Sequence, residues 1–175
     1  MPSPEPSKLY RPNVGIALFD ALGRVLVGRR FRDDGPEIVE PGRAWQMPQG
    51  GIDPGEDLVA AARRELREET GVTSAEWLAT LTATLRYDFP AYHGPPHRLA
   101  VFRGQEQRWV AFRFTGPESE IDLSGEPGAE PEFDAWAWRP LARVAEEVVS
   151  FRAPVYRAVA EGFAPFARAG LARAG

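Results

Sequence analysis

Three glutamates, Glu65, Glu68 and Glu69, stand at positions i, i+3 and i+4 of one short segment. In an α-helix of about 3.6 residues per turn, these spacings place all three carboxylates on one face. The apolar residues Leu58 and Ala61 fall on the same face one or two turns earlier. The acids are therefore predicted to face the protein interior, so a role as solvated surface charges does not explain them.

An inward-facing acid cluster is unfavourable by itself. Glu65 and Glu69 are like charges at i and i+4, which costs a helix about 0.2 to 0.5 kcal/mol before any desolvation. A divalent cation removes this repulsion. Because the chain has 0 cysteines, the oxygen-only ligand set suits Mg²⁺ or Mn²⁺ rather than zinc, and Mg²⁺ commonly works beside substrate phosphates. The sequence thus predicts metal-assisted chemistry on a phosphate group.

The simpler interpretation is a solvated charged helix held by pairs such as Arg64 with Glu68. That interpretation leaves the preceding loop unexplained, because residues 50–55 contain three glycines in six positions. Glycines at this density permit positive φ angles and close backbone approach. Gly71 then follows the acids where a helix C-cap is expected. The loop, the helix and the cap together indicate a functional site.

These residues match the 23-residue Nudix box, Gly-x5-Glu-x7-Arg-Glu-apolar-x-Glu-Glu-x-Gly-apolar. Every defined position is filled, by Gly50, Glu56, Arg64, Glu65, Leu66, Glu68, Glu69, Gly71 and Val72. Nine constrained positions at fixed spacing make a specific signal. The chain therefore resembles the Nudix hydrolases, which implies an α/β fold, an α/β/α sandwich around a central mixed β-sheet.

The resemblance extends beyond the box over about 150 residues, to segments that look like those of bacterial RNA pyrophosphohydrolases. The segments are Tyr-Arg-Pro-Asn-Val-Gly at 10–15, Trp-Gln-Met-Pro-Gln-Gly-Gly at 45–51, and residues 85–87, 104–109, 131–136 and 149–151. This resemblance implies Mg²⁺-dependent removal of pyrophosphate from 5′-triphosphate RNA ends, the step that initiates mRNA decay. The family overlaps with the asymmetric dinucleoside tetraphosphate hydrolases, so a dinucleoside polyphosphate remains an alternative substrate. A non-catalytic Nudix binding module is a further alternative, which the intact box disfavours.

The chemistry assigns roles to the acids. Two or three Mg²⁺ (or Mn²⁺) ions on Glu65, Glu68 and Glu69, with a backbone carbonyl near Gly50, would neutralise the phosphate oxygens and activate water. The resemblance adds Glu132 as a metal ligand from a separate loop. Glu65 and Glu132 are both candidates for the general base, and the sequence does not decide between them. Glu56 and Arg64 are expected to pair and to hold the loop on the helix.

Substrate contacts are carried over from the resemblance. Arginines can bind phosphate oxygens through two donors, and an aromatic ring can stack on a base whatever its identity. The candidates are Arg11, Arg30, Gln105, Tyr87, Val149, Phe151 and Arg152. By residue type alone, the arginines read as surface residues and Phe151 as core. One departure from the family is a longer segment at residues 32–44, which we expect at the surface beside the substrate mouth.

Composition limits the other classes of function. The chain has 175 residues and a net charge of −4, which fits one domain and disfavours a broadly basic nucleic-acid binder. We expect no DNA or membrane partner, and whether a protein activator takes part stays open. The N-terminus lacks the blocks of a signal peptide, so a cytoplasmic location is expected. Residues 1–8 are predicted to be a disordered tail, 9–165 the domain, and 166–175 a flexible tail.

Periodicity and turn residues predict the elements that position these groups. Strands are predicted at residues 14–19 and 25–27, joined as a hairpin, and at 45–47, 76–87, 108–114 and 133–138. Helices are predicted at 57–69, 141–149 and 154–163. Residues 33–43, rich in glycine, proline and acids, are predicted to be a surface loop.

Overall fold

The computed structural model describes the backbone of residues 9–173 and side chains as far as residue 168. The expected tail at 1–8 lies outside the described residues. The strands are β1 (Tyr10–Phe19), β2 (Arg24–Arg30), β3 (Trp45–Gln46), β4 (Gln49–Gly51), β5 (Ala75–Thr80), β6 (Leu85–Asp88), β7 (Gly104–Phe114) and β8 (Phe133–Pro140). The α-helices are α1 (Leu58–Thr70), α2 (Val144–Glu147) and α3 (Ala153–Arg173).

Strand β1 organises one mixed sheet. It runs parallel to β7 along its whole length, from Tyr10 opposite Gly104 to Phe19 opposite Arg113. Strands β2 and β4 pair with it in the antiparallel sense. Strands β3 and β8 extend the sheet from β2, while β5 and β6 both pair with β7. The predicted mixed sheet is confirmed.

Alternate residues of β1 point into two separate cores, as a sheet covered on both faces requires. Ala17 and Phe19 belong to the core that includes Tyr156 and other residues of α3. Ile16 and Leu18 belong to the core that contains Leu66 of α1. Helices therefore cover both faces, which is the α/β/α sandwich expected from the sequence.

Two predicted elements differ from the structure. The single strand expected at 76–87 is divided into β5 and β6, because the chain bends at residues 82–83 and residues 82–84 are exposed. The helix expected at 141–149 is a 3-10 turn followed by the short α2, which ends before Val148.

The C-terminal helix extends past residue 165, where the domain was predicted to end. Helix α3 continues through Pro165 to Arg173. The ring of Phe166 lies 5.9 Å from that of Phe19 and 6.0 Å from that of Phe163. Residues placed in a flexible tail thus cover one end of the sheet, and apolar burial explains why the helix continues. Residues 174–175 lie outside the described part.

Candidate active site

Helix α1 is fixed at both ends. The Asp57 side chain accepts a 3.0 Å hydrogen bond from the backbone N–H of Ala60, which caps the N-terminus. Gly71 ends the helix with a φ of 73°, a left-handed conformation that glycine adopts without strain. Ala61 and Leu66 anchor the helix on the sheet. The carboxylates that follow on the adjoining arc are thereby directed toward strand β4.

The predicted acids meet at one cleft of about 270 Å³. Its walls include Gly50 of β4, three glutamates of α1, and Glu132, which immediately precedes β8. Among the residues predicted from the sequence, those lining the cleft are Arg11, Gly50, Glu65, Glu68, Glu69 and Glu132. The fold therefore brings together a box helix and a loop that lies more than 60 residues later.

Arg64 ties the glycine loop to the helix. Its Nε and Nη2 atoms donate to the two carboxylate oxygens of Glu56 at 2.8 and 2.9 Å. Nη2 also donates to the Gly51 carbonyl, and Nη1 donates to Glu65 at 2.7 Å. The guanidinium lowers the pKa of Glu56 to about 2. Arg64 and Glu56 form the predicted pair, and Arg64 additionally orients one of the candidate catalytic acids.

The cleft brings several acidic side chains together in a largely buried position. Burial raises the pKa of Glu69 well above its ordinary value, and repulsion by Glu132 and Glu65 adds to this rise. Burial likewise raises the pKa values of Glu65 and Glu132, although Arg64 and Arg30 oppose the effect. The Gln49 N–H donates to Glu69 across 3.3 Å. Such a set of acids is more stable once a cation lies among them.

Gly50 permits a close approach that another residue would prevent. A methyl group at Gly50 would overlap the carboxylate of Glu65, so the glycine leaves this acid its position beside β4. The donor set, carboxylates plus a nearby backbone, fits a hard divalent cation. In the described part of the chain, however, no three acidic or histidine side chains already converge on a single ion position.

The two predicted phosphate-binding arginines differ in their surroundings. Arg11 lines the cleft, and its guanidinium lies against Gly51. Arg30 is only 5% exposed. Its donors reach the backbone carbonyls of Arg32, Glu37 and Ile38 at 3.3, 2.9 and 3.3 Å, and its Nε lies 3.6 Å from Glu132. Arg30 therefore holds the loop after β2, whereas Arg11 faces the cleft.

Three other predicted substrate contacts are buried together. Arg152 donates to Glu37 and Gln46 at 2.6 and 2.7 Å. Gln105 donates to the same carboxylate oxygen of Glu37 at 2.6 Å, and the Tyr87 hydroxyl lies 3.5 Å from it. Arg152 is 1% exposed and Gln105 0%. These side chains lie beneath the cleft and are not among the residues that line it.

Glu37 is the residue that the sequence did not reveal. Residues 33–43 were predicted to be a surface loop, yet Pro36 and Glu37 in its middle are buried. Glu37 is buried because its carboxylate neutralises a buried arginine, Arg152, 115 residues away in the sequence. No local spacing distinguishes Glu37 from the other acids of this loop.

One of the two aromatic rings at the predicted base site is partly accessible. Phe151 is half-buried, and its ring centroid lies 5.6 Å from that of Tyr87 at an interplanar angle of 42°. Val149 is buried in the same core. Phe151 therefore keeps an exposed portion that a base could meet, while Tyr87 and Val149 support it from below.

Comparison with known proteins bears on this geometry. A family model described as NUDIX domain matches residues 9–159. An RNA pyrophosphohydrolase of Caulobacter vibrioides is 50% identical over 160 residues, covering 91% of this chain and 88% of that protein. An RNA pyrophosphohydrolase of Rhizobium meliloti is 43% identical over 160 residues, covering 91% and 96%.

Solved structures agree at the level of the fold. A C. elegans Ap4A hydrolase in a binary complex has a TM-score of 0.57 at 20% identity, covering 87% of this chain and 98% of that one. The E. coli dihydroneopterin triphosphate pyrophosphohydrolase has a TM-score of 0.59 at 18% identity, covering 89% and 97%. At such identities the likeness establishes the fold alone. No helix in the described residues is long and apolar enough to span a membrane.

Proposed function

Because the chain belongs to the Nudix family, we propose that it is a hydrolase that removes pyrophosphate from the 5′-triphosphate end of RNA. The observation that carries the proposal is the cleft where the Nudix-box glutamates and Glu132 meet beside Arg11. Relatives named RNA pyrophosphohydrolase, up to 50% identical over most of both chains, support the same substrate. Hydrolysis would break the α–β anhydride bond and leave a 5′-monophosphate.

Nudix hydrolases generally need divalent metal ions, and the donor chemistry here favours Mg²⁺ or Mn²⁺. Glu65, Glu68, Glu69 and Glu132, with the backbone at Gly50, are the residues that would hold two or three ions when substrate is bound. Bound ions would neutralise phosphate oxygens and lower the pKa of a water molecule. Repulsion among these carboxylates gives the ion-free site a high affinity for positive charge.

The remaining chemistry falls to the chain's own side chains. Glu65 or Glu132 would accept the proton of the attacking water, since burial raises the pKa values of both toward the working pH. Arg64 holds Glu65 in place at 2.7 Å. Arg11 would bind the phosphate chain at the mouth of the cleft. Glu56 fixes Arg64 and thereby the whole loop.

The RNA beyond the triphosphate would meet Phe151, whose exposed portion can stack on a base. Tyr87 and Val149 would support that ring. We assign Arg30, Gln105 and Arg152 to holding the loop that carries Glu37, because each of them donates a hydrogen bond to Glu37. Substrate specificity would thus rest on exposed groups around the cleft.

A dinucleoside tetraphosphate would use the same metals and acids and remains the alternative substrate. The C. elegans Ap4A hydrolase is 20% identical to this chain, a level that shows the fold alone and does not decide the substrate. A non-catalytic module is disfavoured because every box acid is present and Glu65, Glu68 and Glu69 line the cleft.

Identification of the products tests the proposal. Purified protein with Mg²⁺ should convert 5′-triphosphate RNA to 5′-monophosphate RNA and an equal amount of pyrophosphate. The Glu68→Gln variant, prepared in parallel, controls for contaminating phosphatases and should release almost none. Release of inorganic phosphate without pyrophosphate, or equal release by the variant, would contradict the proposed reaction.

A further inference from the structure

Arg98 is a second arginine at the cleft, and it comes from the connection between β6 and β7. It lines the 270 Å³ cleft together with Arg11. It also lines an adjacent cavity of about 200 Å³, whose walls include Arg32 and Glu132. Arg98 therefore stands where the two cavities adjoin, next to the acids proposed to hold metal.

The guanidinium of Arg98 is weakly committed. Its side chain is 64% exposed, and within the described residues its single ionic partner is Asp34, at 3.1 Å from Nη2. Asp34 also binds His97 Nε2 at 2.7 Å, so Arg98 does not have this carboxylate to itself. Exposed ion pairs of this kind contribute little to stability. An incoming phosphate can therefore replace Asp34 at little cost.

Other arginines near the second cavity are less available. Arg30 is buried and donates to three carbonyls. Arg32 pairs with Glu130 and donates to the Pro131 carbonyl at 2.6 Å. A phosphate chain extending from the box glutamates into the second cavity would thus meet Arg98 first among the described cations on that side.

We propose that Arg98 binds the phosphate chain of the substrate, exchanging its ion pair with Asp34 for bonds to phosphate oxygens. The proposal rests on the proposed function for the identity of the substrate. In the absence of substrate, Asp34 then holds the guanidinium of Arg98 at the mouth of the cleft. Removing the charge of Asp34 should release Arg98, whereas removing Arg98 should weaken substrate binding.

Kinetics of matched variants provide the test. Arg98→Ala should raise KM for triphosphate RNA about tenfold or more, the loss expected for a hydrogen bond between charged groups, with kcat nearly unchanged. Arg98→Lys should retain part of the affinity, because charge remains and the planar fork is lost. Arg103→Ala is the control, since this exposed arginine of the same connection pairs with Asp88 and lines neither cavity.

Asp34→Asn supplies a prediction of opposite sign. It should lower KM in the wild-type background and have no effect on KM in the Arg98→Ala background. An equal decrease in both backgrounds would show that Asp34 merely repels the substrate, and the exchange would be refuted. Unchanged KM in Arg98→Ala would refute the contact itself.

Inhibition by inorganic pyrophosphate separates this proposal from the reaction assigned above. Arg98→Ala should weaken pyrophosphate inhibition by about the same factor as its KM effect, and Arg103→Ala should not. If the wild type hydrolyses another polyphosphate but not RNA, pyrophosphate inhibition still tests Arg98. Loss of RNA activity alone then overturns the proposed function, and unaltered inhibition in Arg98→Ala overturns the Arg98 contact.

Discussion

Arg152 and Glu37 form an ion pair 2.6 Å long at the base of the cleft, which Glu37 helps to line, with side chains that are 1% and 8% exposed. The pair joins the residue that immediately precedes α3 to the loop between β2 and β3. A charge buried this deeply depends on its partner, because neither side chain can turn to water. The loop is therefore fastened to the domain through its middle.

The first prediction concerns the stability of this pair. Glu37→Gln should lower the free energy of unfolding by about 3 to 5 kcal/mol, since it leaves Arg152 buried without a counter-charge. Glu130→Gln removes the same charge from an acid that is exposed and pairs with Arg32, and it should cost less than about 1 kcal/mol. Chemical denaturation measures both. Equal losses of unfolding free energy in the two variants would show that the buried pair contributes no more to stability than the exposed one.

Glu69→Gln tests the acid cluster. It should lower kcat by about 100-fold or more, because it removes charge that would hold metal and stabilise the transition state. Metal-free protein should keep or gain thermal stability at neutral pH, because repulsion with Glu132 and Glu65 is relieved. Turnover near that of the wild type in saturating Mg²⁺ would refute the assignment of Glu69 to the metal.

The same residue predicts a pH dependence of stability in metal-free protein. The pKa of Glu69 lies well above its ordinary 4.5, so the folded state binds more protons than the unfolded chain between these two values. Stability contributed by this group is therefore present below pH 4.5 and is lost as the pH rises through the raised pKa. Glu69→Gln should remove that decline, and an unaltered pH profile of the melting temperature would count against the assigned cause.

Gly50→Ala tests the close approach in β4. The added methyl group would displace the Glu65 carboxylate, so kcat should fall strongly while the melting temperature changes little. Gly51→Ala is the matched comparison, because its methyl group would meet the guanidinium of Arg11, the proposed phosphate contact, instead of Glu65. It should mainly raise KM, with a smaller loss of kcat than in Gly50→Ala. A larger loss of kcat in Gly51→Ala than in Gly50→Ala would refute the proposed constraint on Glu65.

Glu56→Gln tests the bond between loop and helix through acid unfolding. Since Arg64 lowers the pKa of Glu56 from 4.5 to about 2, the pair stabilises the fold above pH 4.5 and loses this effect as the pH falls toward 2. The variant should be less stable than the wild type at pH 7, and the difference should vanish in strong acid. Glu126→Gln, which alters an exposed pair with Arg67, should follow the wild type throughout. A difference that stays constant with pH would contradict this linkage.

The sequence predicted the parts of the molecule whose signals are local. The acids, caps and apolar residues of helix α1 lie within the helix or beside it. The alternation of residues in β1 and β7 likewise reflects their burial in the sheet. Glu37 could not be found in this way, because its partner Arg152 is distant in sequence and both residue types are usually exposed. Arg98 was missed for a related reason, since only the fold brings its connection next to the box. The end of α3 was misplaced because Pro165 and the small residues after it suggest a tail, whereas Phe166 packs on β1.

The central claim is that this cleft hydrolyses the triphosphate end of RNA in preference to a dinucleoside polyphosphate. The most direct measurement compares kcat/KM for 5′-triphosphate RNA and diadenosine tetraphosphate, with the same protein and the same Mg²⁺ concentration. We predict a higher kcat/KM for RNA, accompanied by release of pyrophosphate. A higher value for diadenosine tetraphosphate, with a nucleoside triphosphate and a monophosphate as products, would contradict the claim and leave the Nudix chemistry with the alternative substrate.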